Sequence, residues 1–193
     1  RSGIPEIFHH NDTMELAGSV IISLKSYAAQ CLSITEFRVK VDCDGLGVGV
    51  YDRLNEQRDD ILKKLRSIRQ EVFSQKGEVV GNGEISLKII ECHFGGAGGA
   101  LDEGDPIEFE NNTGIMWGTV RKLLKDEALS IWDSEELISQ LSNRKYTVNS
   151  KGKIELEKKE AMKKRGVSSP DIADALALAC YEGEKGFSLE GLL

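Results

Sequence analysis

The chain has 193 residues, 40% of them hydrophobic, and a formal net charge of -7 at pH 7. This length is enough for one well-cored domain and too short for two large ones. The acidic balance argues against a general nucleic-acid coat protein, because phosphate binding favours a basic surface. Four scattered cysteines without C-x-x-C spacing argue against a zinc site.

No apolar run approaches the length that spans a membrane, and no signal peptide is recognisable. We therefore expect a soluble protein of the cytoplasm, without a membrane partner. The cysteines fit this expectation as reduced residues of such a protein.

The first half of the chain predicts alternating strands and helices, which indicates the α/β class. Asp12 and Glu15 form a capping box at the start of a helix. The predicted elements are a strand at 7–10, a helix from 13 to about 30, a strand ending at Asp42, helices near 48–57 and 59–73, and a strand at 85–94.

Asp42 ends a predicted strand and enters a turn that contains Gly45, Gly47 and Gly49. A carboxylate at the carboxyl end of a strand is well placed to face a site. The glycines also fit a nucleotide-binding turn. That alternative matches poorly, because the G-x-G-x-x-G spacing is broken and no Lys-Ser/Thr follows.

The second half of the chain begins with a glycine-rich, acidic stretch at 95–110 that has no apolar period and predicts a loop. Two helices are predicted after it, from about 113 to 126 and from 134 to 142. Two alternating runs around a Lys-Gly turn then predict a hairpin over 146–156.

Asp171 and Asp174 lie one turn apart at the start of an Ala- and Leu-rich helix, so their side chains point the same way. A buried acidic pair needs neutralisation, and a divalent cation is the simplest candidate. The alternative is helix capping, with Ser168 or Ser169 at the N-cap, Pro170 as the first helical residue and Asp171 at the positive end of the helix dipole.

A lysine-rich segment runs directly into this helix. An interleaved charge run is usually a solvated surface. Next to paired carboxylates, however, lysines are well placed to hold a DNA backbone. The candidates for DNA binding are Lys151, Lys153, Lys158, Lys163 and Arg165.

Several of these segments together resemble the C-terminal nuclease domain of tailed-phage large terminases. The first segment, 41–54, contains Asp42 and the three glycines. The second, 152–166, contains the lysines, and the third, 169–176, contains Asp171 and Asp174. Between them, 111–117 resembles a helix start that the family writes as Asn-basic-basic-Ala-x-x-Trp, although Thr113 and Gly114 depart from it.

The resemblance implies a ribonuclease H-like fold, in which a mixed central sheet is flanked by helices. It also implies an endonuclease that cuts double-stranded DNA with two magnesium or manganese ions during genome packaging. The implied partners are the phage portal and the small terminase subunit, and the implied location is the cytoplasm of an infected bacterial cell.

The family's second acid matches Asp42 and its last acid matches Asp174, with Asp171 as an auxiliary ligand. These three residues are thus the implied catalytic and metal-binding residues, and Lys158 and Lys163 match the family's basic positions.

The family's first acid, on its opening strand, has no counterpart, and no Walker-type phosphate loop occurs. We therefore expect residues 1–193 to be a single nuclease domain, a fragment that lacks its opening strands and the ATPase motor domain. Metal affinity should then be reduced and cleavage weak or absent, because the number of charged ligands sets affinity.

Two other interpretations remain open. One is a non-catalytic module of the same fold that docks onto DNA or the portal. The other is a different ribonuclease H-like nuclease, such as a junction resolvase or a transposase, against which the hairpin and the lysine-rich segment argue.

Overall fold

The computed structural model describes residues 5–9, 12–76 and 85–183. The chain folds into two compact units. We call Ile7–Cys92 the N-terminal unit and the part that begins at His93 the C-terminal unit. The elements are α1 (Thr13–Gln30), β1 (Glu36–Asp42), α2 (Gly47–Glu56), α3 (Arg58–Lys76), β2 (Ser86–Cys92), α4 (Asn112–Lys125), α5 (Glu135–Asn143), β3 (Tyr146–Val148), β4 (Ile154–Leu156), α6 (Lys159–Lys164) and α7 (Asp171–Cys180).

In the N-terminal unit, β1 and β2 form a parallel pair whose register runs from Glu36 opposite Ser86 to Asp42 opposite Cys92. Parallel strands need a long crossover, which α2 and α3 supply. The apolar residues of these elements form one core that includes Ala28, Phe37, Leu54, Leu65 and Ile85. Asp42 ends β1, as predicted.

The turn after Asp42 brings α2 directly against the end of β1. A Cβ added at Gly47 would collide with the backbone carbonyl oxygen of Asp42. Glycine at this position is therefore required by close approach of two backbones. Gly45 has a φ of 152°, a conformation that glycine adopts readily.

In the C-terminal unit, α7 packs against α4 and α5. The hairpin β3–β4 is antiparallel, and Gly152 in its turn has a φ of 78°. On its other side β4 pairs with residues 108–110, through hydrogen bonds from Glu110 N to Ile154 O (2.9 Å) and from Ile154 N to Glu108 O (2.8 Å). These contacts place residues 108–110 beside the hairpin.

Most predicted elements are confirmed, including the Asp12 cap, which accepts a hydrogen bond from Met14 N at 2.8 Å. The strand predicted at 7–10 is wrong, because residues 7–9 form no ladder; His10 lies outside the described residues. Within the loop predicted at 95–110, Ala97 and Ala100 form isolated bridges with Asn111 and Glu108.

The α/β class is confirmed, with helices and two two-stranded sheets in the described part of the chain. A mixed central sheet stays a prediction. The single-domain organisation also stays a prediction. Among residues 5–9, 12–76 and 85–183, no helix has the length and apolar character needed to cross a membrane.

Candidate functional site

The acidic pair begins α7. The structure corrects the predicted cap by one residue, because Pro170 is the N-cap, with φ -85° and ψ 52°, and α7 starts at Asp171. Pro170 itself makes no side-chain capping hydrogen bond to this helix end. Ser169 Oγ instead donates a hydrogen bond to Asp171 Oδ1 at 2.6 Å, and this bond, more than any other contact, lowers the pKa of Asp171.

The carboxylates of Asp171 and Asp174 meet at one ammonium group. Lys159 Nζ lies 3.2 Å from Asp171 Oδ1 and 2.8 Å from Asp174 Oδ2. The Asp171 side chain is 74% exposed, whereas Asp174 is buried. Burial works to lower the pKa of Lys159, but its bonds to the two carboxylates outweigh that effect and raise the pKa. Lys159 therefore stays charged beside the pair.

The other oxygen of Asp174 receives two hydrogen bonds from buried donors. Trp117 Nε1 lies 2.8 Å and an Arg144 guanidinium nitrogen 3.0 Å from Asp174 Oδ1. Burial lowers the pKa of Arg144, against the opposing effect of Asp174. Asp174 is thus held by three donors, from α4, from the segment between α5 and β3, and from α6.

The same donors contact one another. The guanidinium of Arg144 lies over the Trp117 ring, 4.8 Å from its centroid, in cation–π geometry. Arg144 Nε also donates to the carbonyl of Glu157 at 3.0 Å, which ties it to the hairpin. The planar guanidinium donates to fixed acceptors on two sides, which leaves Arg144 little freedom.

The start of α7 is also anchored through its backbone. The buried side chain of Gln140 on α5 accepts a hydrogen bond from Ala173 N at 3.0 Å. This satisfies one of the N–H groups that a helix start leaves unpaired. The contact fixes the turn that carries both acids.

Asp42 belongs to the N-terminal unit, exposed at the end of β1, and its Oδ1 accepts a hydrogen bond from Asp44 N at 3.1 Å. This bond is typical of an Asp that stabilises a turn. In the described part of the chain, no three His, Cys, Asp or Glu side chains are grouped so as to hold a metal ion. The convergence of Asp42 with Asp171 and Asp174 stays a prediction.

The five basic candidates fall into two groups. Lys151, Lys153 and Arg165 are paired with glutamates: Lys151 with Glu110 at 3.5 Å, Lys153 with Glu108 at 2.8 Å and Arg165 with Glu157 at 2.6 Å. Lys158 at the N-cap of α6 and Lys163 in its last turn are exposed, and neither makes an ion pair with a residue the structure describes. Their role in DNA binding stays a prediction.

Sequence reasoning did not assign three side chains that surround Asp174. Lys159 was one of several lysines in a charged run, with no signal to single it out. Trp117 stood in a motif but carried no predicted contact. Arg144 follows α5 as an ordinary surface-type residue, and no sequence pattern marks it as buried.

The carboxylate oxygens of Asp171 and Asp174 are ligands of the kind that a hard divalent cation prefers. Magnesium is usually held by one or two carboxylates, with water and substrate phosphate completing its shell. The shared contact with Lys159 places one oxygen of Asp171 and one of Asp174 around a single positive charge. The pair therefore fits such an ion, provided that Lys159 withdraws.

No protein-family model and no curated protein matches the sequence. Among solved structures, the chain is similar to the nuclease domain of the large terminase subunit gp2 of bacterial virus Sf6. That structure has 19% identity, covers 84% of this chain and 72% of its own, and has a TM-score of 0.43.

A lysine-to-alanine mutant of that domain with manganese, at 20% identity, covers 84% of this chain and 73% of its own. A corresponding mutant of gp2c with calcium covers 84% and 72% at the same identity. Both have a TM-score of 0.43.

Proposed function

We propose that this chain is the metal-dependent endonuclease domain of a tailed-phage terminase large subunit, with a ribonuclease H-like fold, and that it cuts double-stranded DNA. One observation carries the proposal: Asp171 and Asp174 meet around a single positive charge at the start of α7. The order of the sequence motifs, from Asp42 to the lysine-rich segment and the acidic pair, supports it.

In this proposal Asp42 and Asp174 are direct metal ligands, and Asp171 is a second ligand or orients metal-bound water. Two bound magnesium or manganese ions would supply an activated water and stabilise the leaving oxygen of a phosphodiester. The chain itself holds the acids in place, through the Gln140 contact with the backbone of α7 and the donors around Asp174.

The exposed ammonium groups of Lys158 and Lys163 are proposed to bind the DNA backbone first. Phosphate contacts of this kind fix position without reading sequence, so we expect cleavage without sequence preference. The other three candidates would have to give up their ion pair with a glutamate before they could bind a phosphate; they are Lys151, Lys153 and Arg165. The proposed partners are the portal and the small terminase subunit, in the cytoplasm of an infected bacterium.

One observation favours a second candidate, a non-catalytic module that docks onto DNA or the portal. Asp174 already has two cationic partners, Lys159 and Arg144, so its charge is compensated without a metal ion. Buried charges in proteins are usually paired in this way, so the arrangement is also that of a purely structural carboxylate. Metal binding distinguishes the two candidates.

Calorimetric titration with Mn²⁺ tests the nuclease proposal. We expect the parent chain to release or absorb heat on binding and Asp174→Asn to lose most of that signal, because the amide carries no charge for the ion. Asp133→Asn, which removes an exposed carboxylate of the same unit, is the matched control and should bind as the parent does. Nicking of supercoiled plasmid with Mn²⁺ is expected to be weak, because the family's first acid has no counterpart in this chain, and any nicking should follow the same order as metal binding.

Equal heats for the parent and Asp174→Asn would contradict the assignment of Asp174. If the parent binds no Mn²⁺ and nicks no plasmid but still binds DNA, the docking module is the better description. Asp42→Asn tests the third ligand separately: if it binds metal and cuts as the parent does, Asp42 is only a turn residue.

A further inference from the structure

The two carboxylate oxygens of Asp174 have different surroundings. Oδ1 accepts hydrogen bonds from the Trp117 indole at 2.8 Å and from Arg144 at 3.0 Å. Oδ2 contacts Lys159, whose side chain is 48% exposed, whereas only 6% of the Arg144 side chain is exposed. One oxygen is therefore held by rigid, buried donors and the other by a flexible, accessible one.

We infer that Trp117 and Arg144 are positioning residues: they fix Oδ1 of Asp174 and leave Oδ2 as the oxygen that binds the metal ion. This inference rests on the proposed function. It adds that the indole of Trp117 is linked to the metal through one shared carboxylate. Trp117 is therefore a built-in reporter of metal binding.

The buried donors are unsuited to exchange with a metal ion. Arg144 is held by Asp174, by the Glu157 carbonyl and by the Trp117 ring. Moving it would leave a buried guanidinium without these partners, which is costly. Lys159 carries a long, flexible side chain and can withdraw into solvent while keeping its hydration. The site therefore opens at Oδ2.

Indole emission depends on the charges around the ring. A divalent ion at Oδ2 in place of Lys159 changes the field at the carboxylate to which Trp117 donates its hydrogen bond. The hydrogen bond to Oδ1 also orients the ligand, and such outer partners of ligands usually contribute about 10- to 100-fold to metal affinity or activity.

The first experiment uses fluorescence. The sequence has two tryptophans, so Trp132→Phe leaves Trp117 as the sole indole, whose emission is excited selectively at a wavelength that tyrosine does not absorb. Titration of this variant with Mg²⁺ alone should give a saturable change in emission, and the same titration after adding Asp174→Asn should give none. Mg²⁺ is chosen because it is not paramagnetic and does not quench the indole by itself.

The second experiment measures Mg²⁺ affinity by calorimetry for Trp117→Phe, which keeps an aromatic ring beside Arg144 but removes the N–H donor and part of the buried ring volume. We expect affinity to fall about tenfold, while Trp132→Phe binds as the parent does. A purely structural effect would reduce the fraction of folded, binding-competent molecules and leave the dissociation constant of those molecules unchanged.

The outcomes separate this inference from the proposed function. If calorimetry shows Mg²⁺ binding that needs Asp174, but Trp117 emission does not respond and Trp117→Phe binds with the parent's affinity, the positioning role is wrong and the nuclease proposal stands. If no Mg²⁺ binding depends on Asp174, both fail.

Discussion

Asp174 shows how a single buried carboxylate organises the residues around it. A buried charge is costly unless it is paired and hydrogen-bonded. Its position on an Ala- and Leu-rich helix predicted that a positive group must neutralise it, and a divalent ion was the simplest choice. The structure supplies Lys159 and Arg144 for this purpose. A metal ion would thus replace Lys159 in a site that is already compensated.

Glu157 is a second residue whose charged form is stabilised by an ion pair. It binds Arg165 at 2.6 Å and accepts a hydrogen bond from Lys145 N at 3.2 Å. The hydrogen bonds from Arg165 are the largest cause that lowers the pKa of Glu157 from 4.5 to about 2. The charged form is therefore favoured in the folded protein.

This shift predicts a pH dependence of stability. A carboxyl group whose pKa is lower in the folded state stabilises the fold above its unfolded pKa, and this stabilisation disappears as pH falls through the folded pKa. As the pH falls from about 4.5 to about 2, the parent should lose this stabilisation, which Glu157→Gln lacks at every pH. Thermal midpoints of the two proteins should therefore differ at pH 6 and converge toward pH 2.

Glu103→Gln, which changes an exposed loop glutamate of the same unit, is the control and should follow the parent at every pH. A gap between parent and Glu157→Gln that stays constant from pH 6 to pH 2 would mean that the ion pair with Arg165 contributes nothing to folding. Surface ion pairs often behave in that way.

The junction of β1 and α2 controls where Asp42 lies. Gly47 begins α2 in direct contact with the Asp42 backbone, where a side chain has no room. The helix start and the strand end are therefore packed backbone to backbone. Any residue larger than glycine must push them apart.

Gly47→Ala should destabilise the protein by about 2 kcal/mol or more, because overpacking against backbone cannot be relieved by a rotamer change. Gly18→Ala is the matched control, since Gly18 lies inside α1 with nothing within 4 Å of an added Cβ. That change should stabilise by roughly 0.5–1 kcal/mol, the usual preference for Ala over Gly in a helix. Chemical denaturation of both variants measures the difference.

If Gly47→Ala is as stable as the parent, the contact with Asp42 is looser than described. If it is destabilised but folded, its Mn²⁺ binding shows whether the position of Asp42 matters for the metal.

The net charge of -7 over the 193 residues opposes DNA binding. Binding must then depend on a local basic surface, and the exposed lysines of the α6 segment are the candidates. Lys158→Ala should weaken DNA binding and reduce the steepness of its salt dependence by roughly one phosphate contact. Metal binding should be unchanged, because the lysine that pairs with Asp171 and Asp174 is Lys159 and not Lys158.

Lys125→Ala, at the end of α4, is the control for loss of one exposed positive charge in the same unit. Affinity for a short DNA duplex, measured at several salt concentrations, should fall for Lys158→Ala and much less for Lys125→Ala. Equal losses would indicate a general effect of net charge rather than a specific phosphate contact.

The sequence predicted local structure better than the surroundings of the site. Elements with a clear period or cap, such as α1 and α5, were found close to their observed bounds, because their signals lie within a few residues. Residues 7–9 alternate like a strand but join no β-ladder in the described part of the chain, since strand pairing is decided by tertiary structure. Arg144 illustrates the limit for the site, because its burial depends on α4 and α7, far away in the chain.

The positions of the three donors along the chain also bear on when the surroundings of Asp174 form during folding. Trp117 precedes Asp174 by 57 residues and Arg144 precedes it by 30. Contacts between such distant positions form only after the intervening chain has closed into loops, which makes them late events in folding. During synthesis, Asp174 emerges after all of its donors. If Asp174 is a metal ligand, as proposed, the metal site stays incomplete until this carboxylate has left the ribosome.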